Sequence, residues 1–152
     1  MKKIAAIFGV LVLVAVVLLV VSSRNGLSLG GAVVASSPDA KQLEKLATKF
    51  LEDLQFKDFD KAASYHSRED RKNVNIPALI ERMFQIKPEM MDIMRFEIVK
   101  VQLDSSGKRA KIKTKTTIKL LNTKEIREPE IMLYFFKDPA EGWVMELESS
   151  IR

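Results

Sequence analysis

The 152-residue sequence predicts an α+β protein: an N-terminal transmembrane helix, then about three helices packed on a curved antiparallel sheet of about four strands. Three observations carry this. The run Ile4–Val21 is apolar throughout, with Gly9 its one break. Apolar residues recur at helical spacing from Leu43 to Ile86, and from Phe96 onward the period falls to two. Helices followed by antiparallel strands place the helices against one face of the sheet.

Eighteen apolar residues span about 27 Å as a helix, close to the roughly 30 Å hydrocarbon thickness of a bilayer. A cleaved signal peptide has a shorter apolar region, about 7 to 15 residues, and a small-x-small site soon after it. Val21-Ser22-Ser23 and Val33-Val34-Ala35 fit that pattern poorly, so residues 1–23 read as an uncleaved signal anchor. Secretion into the periplasm after cleavage is the alternative. Lys2 and Lys3 precede the span and Arg24 follows it, which keeps the N-terminus in the cytoplasm and places the rest in the periplasm of a bacterium. Residues 24–37 are small, rich in Gly and Ser and uncharged after Arg24, the composition of a flexible tether.

The overall charge of +5 and hydrophobic share of 47% suggest a basic, greasy protein. Three of the 25 basic residues and none of the 20 acidic ones precede Asp39, so the remainder carries 22 basic against 20 acidic groups, a net +2. That remainder, residues 38–152, is about 41% hydrophobic and reads as one globular domain. The absence of cysteine excludes disulfides, thiol nucleophiles and Cys-based metal or cluster sites.

Ser37-Pro38-Asp39 opens the first helix of that domain with a hydroxyl cap, a proline in the first turn and an acid at the positive dipole end. Leu43, Leu46, Ala47, Phe50, Leu51 and Leu54 form its buried stripe. Asp58 starts a second, shorter helix that buries Phe59, Ala62, Ala63 and Tyr65. A third opens at Pro77, offers Leu79, Ile80, Met83, Phe84 and Ile86 for packing, and stops at Pro88, with a further helical turn over 89–94. The first strand covers Phe96 to Leu103 and turns at Asp104-Ser105-Ser106-Gly107. The second, Arg109 to Leu120, alternates without a slip. Glu130 to Lys137 and Trp143 to Glu148 complete the sheet, joined by turns at Asn122–Glu125 and Asp138–Gly142.

The segment from Phe50 to Ala63, with Asp58-Phe59-Asp60 and Ala62-Ala63, resembles the first two helices of the nuclear transport factor 2-like superfamily. The ending Tyr134-Phe135-Phe136-Lys137-Asp138-Pro139-Ala140-Glu141-Gly142-Trp143 is similar to that superfamily's final hairpin. The resemblance spans residues 38–149 and implies a cone-shaped fold. It does not transfer a function, because the fold hosts isomerases, cyclases, dehydratases, transport adaptors and secretion subunits. The layout is most similar to its membrane-anchored members, single-pass subunits of type IV secretion and lipid-import systems, which implies an interaction module.

Candidate site residues fall in two groups. His66 is the one histidine, and with Asp70 to orient it the pair could serve as a general base, as in isomerase- or cyclase-like enzymes. The plainer reading is a histidine at a helix end in a solvated loop. Arg109, Lys111, Lys113, Lys115 and Lys119 share one face of the second strand, suited to an acidic partner or an anionic membrane surface. Glu125, Glu128, Glu130, Glu146 and Glu148 are placed to neutralise that face. No aromatic residue alternates with these lysines, which argues against nucleic acid. Met90, Met91 and Met94 read as core filling rather than a copper site. The expected function is thus a non-catalytic assembly module with protein partners or a homo-oligomer, no cofactor and no metal. A periplasmic domain holding a small apolar ligand is the alternative.

Overall fold

The computed structural model describes residues 37–146. The expected span at residues 4–21, almost all of the tether and Glu148 lie outside the described residues. Within them, no helix is long and apolar enough to cross a membrane.

Helix α1 (Pro38–Gln55) begins as the sequence predicts, with the Ser37 hydroxyl accepting from the Ala40 amide at 3.1 Å. Its stripe is buried at Leu43, Ala47, Phe50, Leu51 and Leu54, with Leu46 packed at the margin. It ends in a tight turn, Lys57 taking a left-handed φ of 58°, while the Phe56, Lys57 and Asp58 amides donate to the last-turn carbonyls of Glu52, Leu54 and Asp53. Helix α2 (Phe59–Ala63) is capped by the Asp58 carboxylate on the Lys61 amide at 3.2 Å. Of its apolar residues only Ala62 is fully buried; Phe59, Ala63 and Tyr65 pack at the edge of the core. A 3₁₀ turn, Asp70–Lys72, leads to helix α3 (Ile76–Phe84).

Two expected boundaries need correction. Helix α3 is capped by Asn75, ahead of Pro77, and ends at Gln85 in the left-handed conformation (φ 57°, ψ 30°), three residues before Pro88. The helical turn expected over 89–94 is a 3₁₀ turn at Pro88–Met90, and strand β1 then begins at Met91 rather than Phe96. The physical reason is a pair of β-bulges. β1 (Met91–Leu103) pairs with β2 (Arg109–Leu120), and the register slips between Ile93 and Arg95 and again between Ile98 and Lys100. Met94 and Val99 are the extra residues, and each shifts the inward positions by one, which breaks the period-two signal.

The sheet runs β1-β2-β4-β5 with β4 at Glu130–Asp138 and β5 at Gly142–Met145, all antiparallel. A two-residue β3 (Ile126–Arg127) pairs with the far end of β2, beyond the reach of β4. This is an α+β domain of three helices and a curled antiparallel sheet, compatible with the expected cone. β2 alternates as expected: Ala110, Ile112, Thr114, Thr116, Ile118 and Leu120 are buried. The four apolar ones meet Ile131, Leu133, Phe135 and Met145 from the neighbouring strands and Phe50 from α1 in one apolar cluster.

The first turn of α1 is fixed to the last hairpin. Asp39 accepts from the Trp143 indole at 3.1 Å and from Lys137 Nζ at 3.0 and 3.1 Å, and Lys137 also lies 5.5 Å from the Trp143 ring centre. The Trp143 indole N–H and then Lys137 hold the Asp39 carboxyl below its usual range. Residues 104 positions apart in sequence are thereby joined.

Phe50, in α1, and Phe56, at its C-cap, lie six positions apart and differ in exposure, 0% against 80%. Phe50→Ala is expected to lower the unfolding free energy by about 3–5 kcal/mol, whereas Phe56→Ala is expected to change it by less than about 0.5 kcal/mol. Urea unfolding of both variants checks this, and similar losses for the two would contradict the packing described.

Candidate functional site

His66 does not lie in a solvated loop: it is fully buried, with 0% exposure. The segment after α2 crosses the open edge of β5, where the Met145 amide donates to the Tyr65 carbonyl at 2.8 Å and His66 bridges Met145 in parallel register. Arg71 then ties the segment down, donating from Nε to the His66 carbonyl at 2.8 Å and pairing with Glu141 at 2.8 Å. Glu141, in the β4–β5 turn, also accepts from the Arg68 amide at 3.0 Å. A stretch without regular secondary structure is therefore held by the hairpin beside it.

The His66 ring packs edge-on against Phe50, centroids 6.3 Å apart. Nδ1 lies 3.3 Å from the Ala63 carbonyl, an acceptor, so Nδ1 carries the proton of the neutral ring. Among the described residues Nε2 has no hydrogen-bond partner. Asp70 does not orient the imidazole as the catalytic reading requires; its carboxylate accepts from the Ser67 hydroxyl at 2.8 Å, and its amide donates back to that hydroxyl at 3.2 Å. Burial pushes the imidazole below its ordinary value, and the Ala63 carbonyl and the Asp70 charge oppose the shift.

A second polar group missed by sequence reasoning sits beside it. Asp53, on α1 and nearly buried, accepts from the Tyr65 hydroxyl at 2.8 Å and pairs with Lys61 at 3.2 Å. Burial, followed by the Asp53 hydrogen bond, drives the Tyr65 hydroxyl far above its ordinary range, so it is a fixed donor. Tyr65 meets Phe50 edge-on with centroids 6.1 Å apart. The available signal was the spacing of Asp53 on the stripe side of α1, between Phe50 and Leu54. The structure thus brings Asp53, Tyr65 and Lys61 together and separates His66 from Asp70. Among the described residues no group of three or more His, Asp or Glu is disposed to hold a metal.

Among the described residues the interior is closely packed. Phe50, Leu133, Phe135, Met145 and His66 are fully buried, and the void between α1, α3 and β1, lined by Leu54, Phe59, Ile80, Met91 and Ile93 among others, measures about 10 Å³. That is about one water-sized sphere. Two larger concavities among the described residues are open surface grooves, one of about 310 Å³ at Arg109, Phe136 and Lys137 and another of about 700 Å³ at Arg68, Lys72, Phe136 and Glu141.

The five basic residues of β2 do share the outer sheet face, but they are not equivalent. Lys113 pairs with Glu130 at 2.7 Å, Lys115 with Glu128 at 2.7 Å and Arg109 with Glu146 at 3.8 Å. The Glu128 hydrogen bond raises the Lys115 pKa, and Lys115 lowers that of Glu128. Glu125 pairs with Arg127 instead, at 2.9 Å. Among the described residues Lys111 and Lys119 have no ion pair. Aromatic neighbours that β2 itself lacks arrive from β4: Tyr134 lies opposite Lys111 and Phe136 opposite Arg109. Core filling describes Met91, which is buried, but not Met90 and Met94, which are exposed.

Compared with known protein families and with curated protein sequences, the chain matches none at a significant level.

Because the folded His66 value lies below the ordinary one of about 6.5, the unfolded chain binds more protons between the two. Its contribution to stability is complete above about pH 6.5 and is lost as pH falls through the lowered value, at up to about 1.4 kcal/mol per unit. Urea unfolding of the native chain is expected to weaken between pH 7 and 5.5, and His66→Leu to flatten that slope. An unchanged slope would exclude His66 as its source. Tyr65→Phe is expected to cost about 1–2 kcal/mol in the same assay at pH 7, because Asp53 then loses its donor while staying nearly buried.

Proposed function

We propose that the chain is a membrane-anchored, non-catalytic interaction module of a bacterial cell-envelope complex. In this reading residues 4–21 sit in the inner membrane, the folded domain lies in the periplasm, and the domain is a member of the nuclear transport factor 2-like superfamily. The observation that carries it is the filled concavity. Where a carrier or enzyme of this shape would need room for a substrate, Phe50, Phe135, Met145 and the buried His66 ring occupy the space. The small apolar ligand considered as the alternative finds no comparable volume between α1, α3 and β1.

Docking falls to the outer sheet face. Lys111 and Lys119 lack ion pairs among the described residues, and Tyr134 and Phe136 flank the row from β4. Half-buried aromatics beside cations suit an acidic protein surface better than a smooth run of lysines does. Tethering near other membrane subunits raises the effective concentration for such docking without any further contact.

Alkaline carbonate extraction is expected to leave the full-length chain in the membrane pellet; a shortened, soluble product would overturn the anchor. Affinity purification from detergent-solubilised membranes is expected to recover a membrane-protein partner. With Lys111→Glu/Lys119→Glu that recovery should fall about thirtyfold or more, each cation being worth about 1 kcal/mol against an anionic surface. Recovery indifferent to the double reversal would place docking elsewhere.

A further inference from the structure

The two edges of the sheet are treated differently. The β5 edge is covered by Tyr65 and His66, while β1 pairs with β2 alone, and besides that ladder the described residues offer its backbone just one partner between Asp92 and Gln102, the Gln55 amide on the Met94 carbonyl at 3.2 Å. This uncovered edge carries exposed Met94 and Val99 at its two bulges, 54% and 49% exposed. Bulges and lysines are common means of keeping an edge strand from pairing. The order of the charges on β1 points the other way.

From the geometry we propose that β1 pairs with β1 of a second copy of this chain, antiparallel and two-fold symmetric about Phe96, so that the two sheets become continuous. In that register Arg95 faces Glu97 of the other copy and Asp92 faces its Lys100. Phe96 meets Phe96, Met94 meets Ile98, and Ile93 meets Val99. The faces agree as well. Asp92, Arg95, Glu97 and Lys100 all lie opposite outer-face residues of β2, namely Lys119, Thr117, Lys115 and Lys113. Met91, Ile93, Phe96, Ile98 and Val101 lie opposite inner-face ones. One bulge on either side of Phe96 preserves this match along the strand, as a two-fold interface requires.

Within one copy these charges act only through space: Glu97 lies opposite Lys115 and adds to Glu128 in raising its pKa, and Arg95 adds to Lys115 in lowering that of Glu128. Among the described residues Arg95, Glu97 and Lys100 have no ion pair, and Lys100 sits directly opposite Lys113, an unfavourable neighbour. Asp92 holds Lys57 at 3.2 Å, with both side chains about half exposed, so its second oxygen remains accessible to the partner's lysine. Pairing would cover Met94 and Val99 at the same time. The outer-face docking proposed above is separate from this edge and does not depend on it.

The test is sedimentation of the full chain in detergent at micromolar concentration. The unaltered chain is expected to be a dimer. Arg95→Glu and Glu97→Arg, each setting like charges opposite one another twice per dimer, are each expected to weaken dimerisation about tenfold or more. The exchange Arg95→Glu/Glu97→Arg keeps the composition and is expected to restore it to within about threefold, and Lys41→Glu, exposed near the start of α1, to leave it unchanged. A monomeric native chain, a dimer indifferent to both single reversals, or a loss that the exchange does not rescue would each overturn the pairing.

Discussion

A sheet that curls has one concave apolar face, and filling it is the constraint on which the rest of this structure depends. Phe50 does most of the filling. It stands on the buried stripe of α1, meets Tyr65 and His66 edge-on, and belongs to the same cluster as Ile112, Leu133, Phe135 and Met145 from three strands. A long helix laid across a curved sheet leaves gaps at its ends. Here the gaps are closed by Trp143 at the start of α1 and by α3 with the Pro88–Met90 turn at its end.

Closing the cone brings polar groups inside, and each is treated by a different means. Asp53 has the Tyr65 hydroxyl as a donor and Lys61 as a counter-charge. His66 remains neutral, with one nitrogen on a backbone carbonyl and the other facing no partner. Thr114 donates to the Ile131 carbonyl at 3.4 Å, while the Thr116 hydroxyl is unmatched. The segment carrying His66 has little regular structure, yet its burial follows from its task of covering the β5 edge, with Arg71 and Glu141 as the clasp.

The exterior follows a different logic. Along β2 the outer cations are interleaved with acids from β4, from the residues between β3 and β4 and from Glu146, so a row that reads as strongly basic is largely neutralised at Arg109, Lys113 and Lys115. What is left is local: Lys111 beside Tyr134, and Lys119 near the β3 end. On β1 the charges alternate in sign, which has consequences for pairing at an edge that they would not have in the middle of a sheet.

Much of this was legible in the chain itself. The caps at Ser37 and Asp58, the α1 stripe and the unbroken alternation of β2 are local signals, set by the 3.6 and two-residue periods and by short-range hydrogen bonds. The α+β class followed from the order of those elements. The start of β1 was not legible, because the bulges at Met94 and Val99 shift the alternation and a bulge is defined by its partner strand. Nor was the end of α3, where Gln85 adopts a left-handed conformation without a glycine to announce it. The candidate residues divide in the same way. Sequence placed five cations on one face, since that is a property of one strand, but which of them are neutralised depends on residues up to 37 positions away that reach them across the sheet. Likewise it identified His66 as singular, whereas its burial, its separation from Asp70 and the pairing of Asp53 with Tyr65 were decided by tertiary contacts, because burial and hydrogen bonding depend on which segments the fold brings together.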